Sequence, residues 1–307
     1  MIRYFLLTVA IALFSNGVFS QFYFLPNALP GDTIVVPPMK SDAVLDVTYQ
    51  GTSLKPVVLI GRDVTLGQLR IINCRYLNVI GFTILDSEDN GLVVRLSEYV
   101  SFDSIQVINA KDNGVRVTEY SSRIFFNHCS VANSGVDNFT VHNSPQGPAG
   151  RGITFTNCFS TQSKGEQGFD ITSGTDISLI NCRASRNDDG PLNIGHGVSN
   201  VLVQNFYANQ ETEGPVVKYA TNVKFVGGTY DHALRLEEQD SGPGQGFGAD
   251  TIFIVNNAFP FIWNQVGTVI ITTDYSAPSA KASPTIESLS EQNRAAMPRK
   301  PQEMKLD

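Results

Sequence analysis

The chain has 307 residues and carries 22 Lys and Arg against 29 Asp and Glu, a formal net charge of −7. That balance leaves no basic patch able to neutralise phosphates, which argues against nucleic acid as a partner. Its length gives one elongated domain with a large core, and 42% hydrophobic residues are there to fill it.

The first predicted element is a targeting segment. Arg3 precedes the apolar run Tyr4 to Phe14, and the short residues around Val18-Phe19-Ser20 suit cleavage before Gln21. The run is too short for a spanning helix, and no later stretch reaches about 18 apolar residues, so no membrane span is expected. Residues 1–20 are therefore read as a signal peptide, and the protein as secreted and extracellular. A single domain is expected over 21–275. The Pro, Ser, Lys and Glu-rich segment 276–307 has little to bury and is expected to be a disordered tail.

Within the domain, turn signals recur as Asn90-Gly91, Asn113-Gly114, Gln167-Gly168, Asp189-Gly190 and Glu213-Gly214, with glycines 23 residues apart in the first pair and 22 and 24 apart in the last three. Each is followed by a short alternating strand: Leu92 to Val94, Val115 to Val117, Phe169 to Ile171, Leu192 to Ile194 and Val216 to Lys218. A second strand comes about eight residues later, as at Val100 to Phe102, Ile124 to Phe126, Ile153 to Phe155, Ile177 to Leu179, Val201 to Val203 and Val223 to Phe225. Two-residue alternation sends one set of side chains inward and the other outward. Such a short unit, with no helical period, cannot bury its apolar face alone. Stacking the units as coils of a solenoid solves this. A leucine-rich repeat would need Leu at fixed spacings together with its own phased Asn, a combination that is missing. The expected fold is all-β, a right-handed parallel β-helix.

Two columns fix the expected register. Cys129, Cys158 and Cys182 share a phase otherwise filled by Ile84, Ile105 and Phe206, so they are expected to be buried free thiols rather than disulfides. Cys74 falls at another phase. Asn157, Asn181 and Asn205 occupy the phase just before, with His128 one coil earlier, as a ladder of turn side chains bonding to one another. Phe22 to Phe24 is expected to cover the first coil. Glu237 to Gly248 is expected to be a loop inserted before the last strands, Ile252 to Val255 and Val269 to Thr272.

The lead-in Ala28-Leu29-Pro30-Gly31-Asp32-Thr33-Ile34-Val35-Val36, the segment Gly51-Thr52-Ser53-Leu54-Lys55-Pro56-Val57 and the repeats together resemble the pectin-lyase-like β-helix superfamily. The resemblance implies a carbohydrate-active protein whose partner is a polysaccharide or surface glycan. A narrower resemblance to polygalacturonases lies in Gly168-Phe169-Asp170-Ile171 and Asn187-Asp188-Asp189. There, Gln167 stands where those hydrolases have Asp, Gly195-His196-Gly197 arrives about one coil early, and no later Arg-x-Lys follows. The hydrolase set is incomplete, and that activity is not implied.

Equal phases in adjacent coils lie about 4.8 Å apart, so an outward stripe gathers residues from distant parts of the chain. In order it holds Asp112 and Arg116; Asp137, Thr140 and His142; Glu166 and Asp170; Asn187, Asp188, Asp189 and Asn193; then Glu211, Glu213 and Lys218. Two mechanisms suit such a stripe. In a uronate lyase, Ca2+ held by Glu166, Asp170 and Asp188 or Asp189 neutralises the substrate carboxylate, and Lys218, Arg116 or His142 removes the C5 proton. In a hydrolase, Asp170 with Asp188 or Asp189 acts as an acid and base pair. A non-catalytic glycan-binding or structural β-helix is the third reading. Asp112, Asp137 and Glu213 also fit plain turn needs. Asn138-Phe139-Thr140, the only glycosylation sequon, falls on the stripe, where a glycan would obstruct His142.

Overall fold

The computed structural model describes 27–144, 147, 150–238, 248–256 and 259–265 with side chains, and 2–3, 8–11, 21–24 and 270–273 as backbone. The chain divides into two units, Met1–Ala277 and Pro278–Asp307. The second unit, with its expected tail, lies outside the described residues, as does most of the expected signal peptide and loop residues 239–247.

Among the described residues there is no helix, and parallel strands stack as a β-solenoid of about 9 turns. Each central coil has three strands. The first face stacks Leu92–Arg95, Val115–Thr118, Phe139–Val141, Phe169–Ile171, Leu192–Ile194, Val216–Lys218, Leu234–Glu237 and Ile262–Asn264 in that order. The second stacks Glu98–Asp103, Ser122–Asn127, Ile153–Thr156 and Thr175–Ile180. The third stacks Gln106–Ile108, Ser130–Ala132, Phe159–Thr161 and Arg183–Ser185. Long strands such as Arg75–Leu85 and Ser199–Asn209 run through the corner between the second and third faces. At the N-terminal end the backbone of Gln21–Phe24 pairs in parallel with Val44–Val47, as the first coil requires. The last described strand is Ile270–Thr273, one residue later than expected at each end.

The core follows from the alternation. Phe102, Phe126 and Phe155 stack at 4.8 and 5.0 Å between ring centroids, and Phe139 stacks on Phe169 at 4.8 Å. Phe139 meets Phe155 edge-on at 5.6 Å, joining the first face to the second across the interior. Burying each ring contributes about 2–3 kcal/mol, and offset stacking adds about 1 kcal/mol more. Cys129, Cys158 and Cys182 form the expected buried column, and all four cysteines are free. The register puts Phe82, not Ile84, at the head of that column: Ile84 pairs with Val107, one strand step further on. Cys74 sits apart, its Sγ accepting from Tyr49 N at 3.2 Å and donating to Val47 O at 3.2 Å.

The corners explain much of the Asn and Asp content. The one between the second and third faces needs a left-handed residue in every coil. It is filled by Gly81, Ser104, His128, Asn157, Asn181, Asn205 and Gly227, with φ between 50° and 75°. Asn and Gly tolerate this conformation best. The asparagine amides bond coil to coil, Asn205 Nδ2 to Asn181 Oδ1 at 3.1 Å and Asn181 Nδ2 to Asn157 Oδ1 at 3.5 Å. His128 joins this ladder, its Nε2 3.4 Å from Asn157 Nδ2.

Candidate functional site

The first face carries one outward ladder. Register pairs Arg116 with Thr140, Thr140 with Asp170, Asp170 with Asn193, Asn193 with Val216, Val216 with Arg235 and Arg235 with Trp263. These residues point away from the core, yet Thr140, Asp170 and Val216 are buried. Neighbouring side chains therefore wall the ladder, and its floor is withdrawn from bulk water. Two residues further along each strand runs a second ladder, with Thr118, His142 and Thr172 on successive coils.

Asp170 is the centre of this face. Only 6% of it is exposed, and its carboxylate accepts from Asn193 Nδ2 at 2.7 Å, Thr172 Oγ1 at 3.0 Å and Thr140 Oγ1 at 3.2 Å. The Thr172 hydroxyl has one proton, which it gives to Asp170. Its oxygen can then only accept from His142 Nδ1, 2.9 Å away. The Asp170–Thr172–His142 chain thus puts the imidazole proton on Nδ1 and leaves the Nε2 lone pair free on an exposed ring. Partial desolvation of the ring, with Arg116 and His196 nearby, pushes the His142 pKa below its ordinary value against the pull of Asp170, so the ring is neutral near pH 7.

Asp137 lies one coil before Gln167 in the turn that leads into the face, and is 4% exposed. Its Oδ1 accepts from Gln167 N at 3.0 Å. Burial first, then the charges of Asp170 and Glu166, push it up to about 9. Asp170 is also raised, by burial, but its three donors favour its ionised form. Asp137, pushed up to about 9, is therefore the member of this pair that holds a proton near pH 7. Burial and the neighbouring carboxylates raise Glu166 and Asp189 as well.

Two polar atoms on the ladder beside this pair have no hydrogen-bond partner, Arg116 Nε and Asn193 Oδ1. Other basic side chains near the face are engaged: Lys218 Nζ is 3.7 Å from Glu237, and Arg235 is 2.6 Å from Glu213. A buried donor and acceptor left open on either side of Thr140 and Asp170 are what a bound polar ligand would satisfy.

The structure thus groups Asp170, His142 and Arg116, with Glu166 and Asp189 at the rim. Asp188 is exposed, and Lys218 lies farther along, beside Glu237. Asn187 and Glu211 leave the expected stripe. Both are buried inside the turn, where Glu211 accepts from Asn187 N at 2.8 Å and Asn187 Nδ2 at 3.0 Å, and burial raises Glu211 to about 8. The turn explanation of Asp137 holds only in part. It bonds backbone, but neither it nor Asp112 nor Glu213 adopts a left-handed conformation. Asp137 and Thr172 are the members that sequence undervalued. The carboxylate missing at Gln167 stands one rung earlier, behind a coil with an offset of 30 residues from Thr140 to Asp170.

Ca2+ needs several oxygens converging on one point. Among the described residues no group of three or more His, Cys, Asp or Glu is arranged to hold a metal ion. Asp170 is committed to three donors, and Asp189 accepts from Gln167 Nε2. As they stand, Glu166, Asp170, Asp188 and Asp189 do not fit a Ca2+ cage. Among the described residues no helix is long and apolar enough to cross a membrane.

The sequon is closed. Asn138 takes the place of the turn glycine and is 0% exposed. Its Nδ2 donates to Ser160 Oγ at 2.9 Å, Thr161 O at 2.9 Å and Asn187 Oδ1 at 3.1 Å.

No protein-family model matches the chain, and no curated protein matches it in sequence. Among solved structures, the pectate lyase Pel9A is similar at 15% identity and a TM-score of 0.52, over 83% of this chain and 74% of that one. The A-module of the mannuronan C-5 epimerase AlgE6 from Azotobacter vinelandii is similar at 11% identity and a TM-score of 0.51, over 85% of this chain and 89% of that one. At these identities the likeness is one of fold: this chain and both of these proteins fold as parallel β-helices.

Proposed function

We propose that the protein is a secreted polysaccharide-acting enzyme that cleaves uronate-containing chains by β-elimination. His142 is the base, and Arg116 binds the substrate carboxylate. The observation that carries this reading is the Asp170–Thr172–His142 chain, which presents a neutral Nε2 near an Arg side chain whose Nε has no partner. Arg116 offsets the uronate charge and so acidifies the C5 proton, the role a cation would otherwise fill. Nε2 takes that proton. The electrons of the C5–H bond form the C4–C5 double bond while the C4–O bond breaks. The departing oxygen takes up a proton, for which Asp137 is the protonated group at hand. Fold likeness to a pectate lyase and a mannuronan epimerase is in keeping with this substrate class.

Hydrolysis is less well served, because both oxygens of Asp170 already accept hydrogen bonds and Asp188 and Asp189 stand outside the buried pair. A non-catalytic glycan-binding role has one observation in its favour, the low exposure of Asp137 and Asp170. The deciding experiment incubates purified protein with polygalacturonate and alginate, with and without EDTA, and follows unsaturated ends by ultraviolet absorbance. Product that persists in EDTA and disappears in His142→Ala supports the reading. Binding of polymer without unsaturated or reducing ends moves the assignment to a glycan-binding β-helix.

A further inference from the structure

The outward ladder continues beyond the proposed centre and ends on an aromatic side chain. From Asp170 the register runs through Asn193, Val216 and Arg235 to Trp263, four rungs away and roughly 19 Å at about 4.8 Å per rung. Trp263 is the only tryptophan of the chain. It is 51% exposed, and Phe261, on the same side of the strand, is 62% exposed. Between them Ile262 turns inward and packs against the core, so the backbone beneath the two rings is anchored. Core filling therefore does not account for either ring. Trp263 takes part in no ring stack or cation–π pair among the described residues, unlike Tyr76 and Tyr99, which stack on each other elsewhere on the surface.

The polar groups on the way point to the same kind of ligand. Asn193 Oδ1 has no hydrogen-bond partner, and Arg235 Nε makes no hydrogen bond but faces Glu237 Oε1 at 3.6 Å, while the Arg235 guanidinium also pairs with Glu213. The wall between them, Val216, is apolar and buried. A pyranose chain offers this combination: hydroxyls on its edges, C–H faces that stack on indole, and in extended form a repeat close to one rung. An exposed aromatic with a wet edge and an apolar face is suited to such stacking.

We propose that Trp263, flanked by Phe261 and Arg235, is a distal sugar-stacking subsite, so that the glycan lies along the solenoid axis from Arg116 to Trp263. This rests on the reading of the first face as the polysaccharide site. It adds that the substrate is an extended chain several residues long, gripped far from the bond that breaks. Binding energy from that remote contact favours long chains over short ones.

The sole tryptophan makes the test direct. Digalacturonate and hexagalacturonate, and the matching mannuronate oligomers, are titrated into the full chain while Trp emission and binding heat are followed, and turnover is assayed in parallel. The expected result is a change in Trp emission with the hexamer and none with the dimer. Trp263→Ala should weaken hexamer binding about tenfold, a loss of about 1.4 kcal/mol, and leave the dimer within about twofold. Trp263→Phe should restore most of the affinity, and an unchanged melting temperature in Trp263→Ala shows that the coil end is intact. Hexamer binding or cleavage with unaltered Trp emission, and equal affinity in Trp263→Ala, overturns the subsite and leaves the elimination reading standing. Length-dependent Trp response without any turnover upholds the subsite and sinks the elimination reading. Absence of binding by every oligomer overturns both.

Discussion

The corner ladder and the first-face ladder are built on the same rungs and obey opposite rules. At the corner, Asn157, Asn181 and Asn205 repeat one residue type because every coil meets one need, a left-handed backbone and a partner for a turn amide. On the face, Arg116, Thr140, Asp170, Asn193, Val216, Arg235 and Trp263 change type at every rung though the backbone is the same. Uniformity is what the solenoid asks of a phase when only stacking matters. A phase that varies while the backbone does not, and that buries a carboxylate, leaves donors open and exposes an indole, is set by something outside the coil.

The largest expected effect breaks the face at its most exposed member. His142→Ala should lower the rate of polyuronate cleavage by about 10²- to 10⁴-fold, the usual worth of a positioned base. His142 protrudes and packs no core, so the melting temperature should stay within a degree or two. A melting temperature that falls in step with activity would make His142 a structural side chain. Thr172→Val keeps the shape but removes the hydroxyl that orients the ring, and should lose part of the same rate with little change in KM.

Next in size is the buried amide beneath the face. Asn138→Ala removes the donor that serves Ser160, Thr161 and Asn187 and the acceptor of Ser134 N. Ser160 Oγ then loses its donor and Ser134 N its side-chain acceptor in the interior, while Thr161 O and Asn187 Oδ1 keep other donors. A loss of about 3 kcal/mol of stability is expected by chemical denaturation. Peptide mass spectrometry of the protein expressed through a eukaryotic secretory pathway should find Asn138 unmodified, since its amide nitrogen is buried and hydrogen-bonded. A glycan there would contradict the packing described.

How far the face could be read from sequence follows from the same contrast. The strands, the corner ladder and the thiol column were legible because each is a repetition, and repetition survives without coordinates. His142, Asp170 and Arg116 were legible as outward residues of one stripe. Asp137 was not separated from ordinary turn residues, because Asn138 replaces the expected glycine and the coil that follows is longer, so the phase was hidden. Thr172 carried no signal at all: its value lies in accepting from one ring while donating to one carboxylate, which only register brings together. Asn187 and Glu211 read as surface polar residues, yet they satisfy each other inside the turn.

The proton on Asp137 gives a smaller effect with a definite sign. Its ordinary value is 3.8 and its folded value about 9, so between those limits the folded chain holds a proton that the unfolded chain has lost. Its contribution to stability is complete below pH 3.8 and fades as pH rises towards about 9. Asp137→Asn should therefore flatten the fall in melting temperature on the alkaline side. In the same variant the upper limb of the rate profile should disappear, while the lower limb, set by His142 losing its proton below its ordinary value, should remain. An alkaline limb that survives in Asp137→Asn would assign it to another group.

The smallest effect tests the corner. Asn181 is exposed, with φ 54°, and its amide bonds to Asn157 on one side while its carbonyl oxygen accepts from Asn205 on the other. Asn181→Ala loses two solvent-accessible bonds and places a Cβ-bearing residue without Asn's local bonding in a left-handed turn, so a cost of about 1 kcal/mol is expected. Asn181→Gly loses the same bonds without the backbone strain and should cost less, which separates the two contributions. Both variants should cleave and bind as the parent does, because this ladder stands on a different edge of the coil from the first face. A change in rate from either would mean that the uniform ladder, too, answers to something beyond stacking, and the distinction between the two phases would fall.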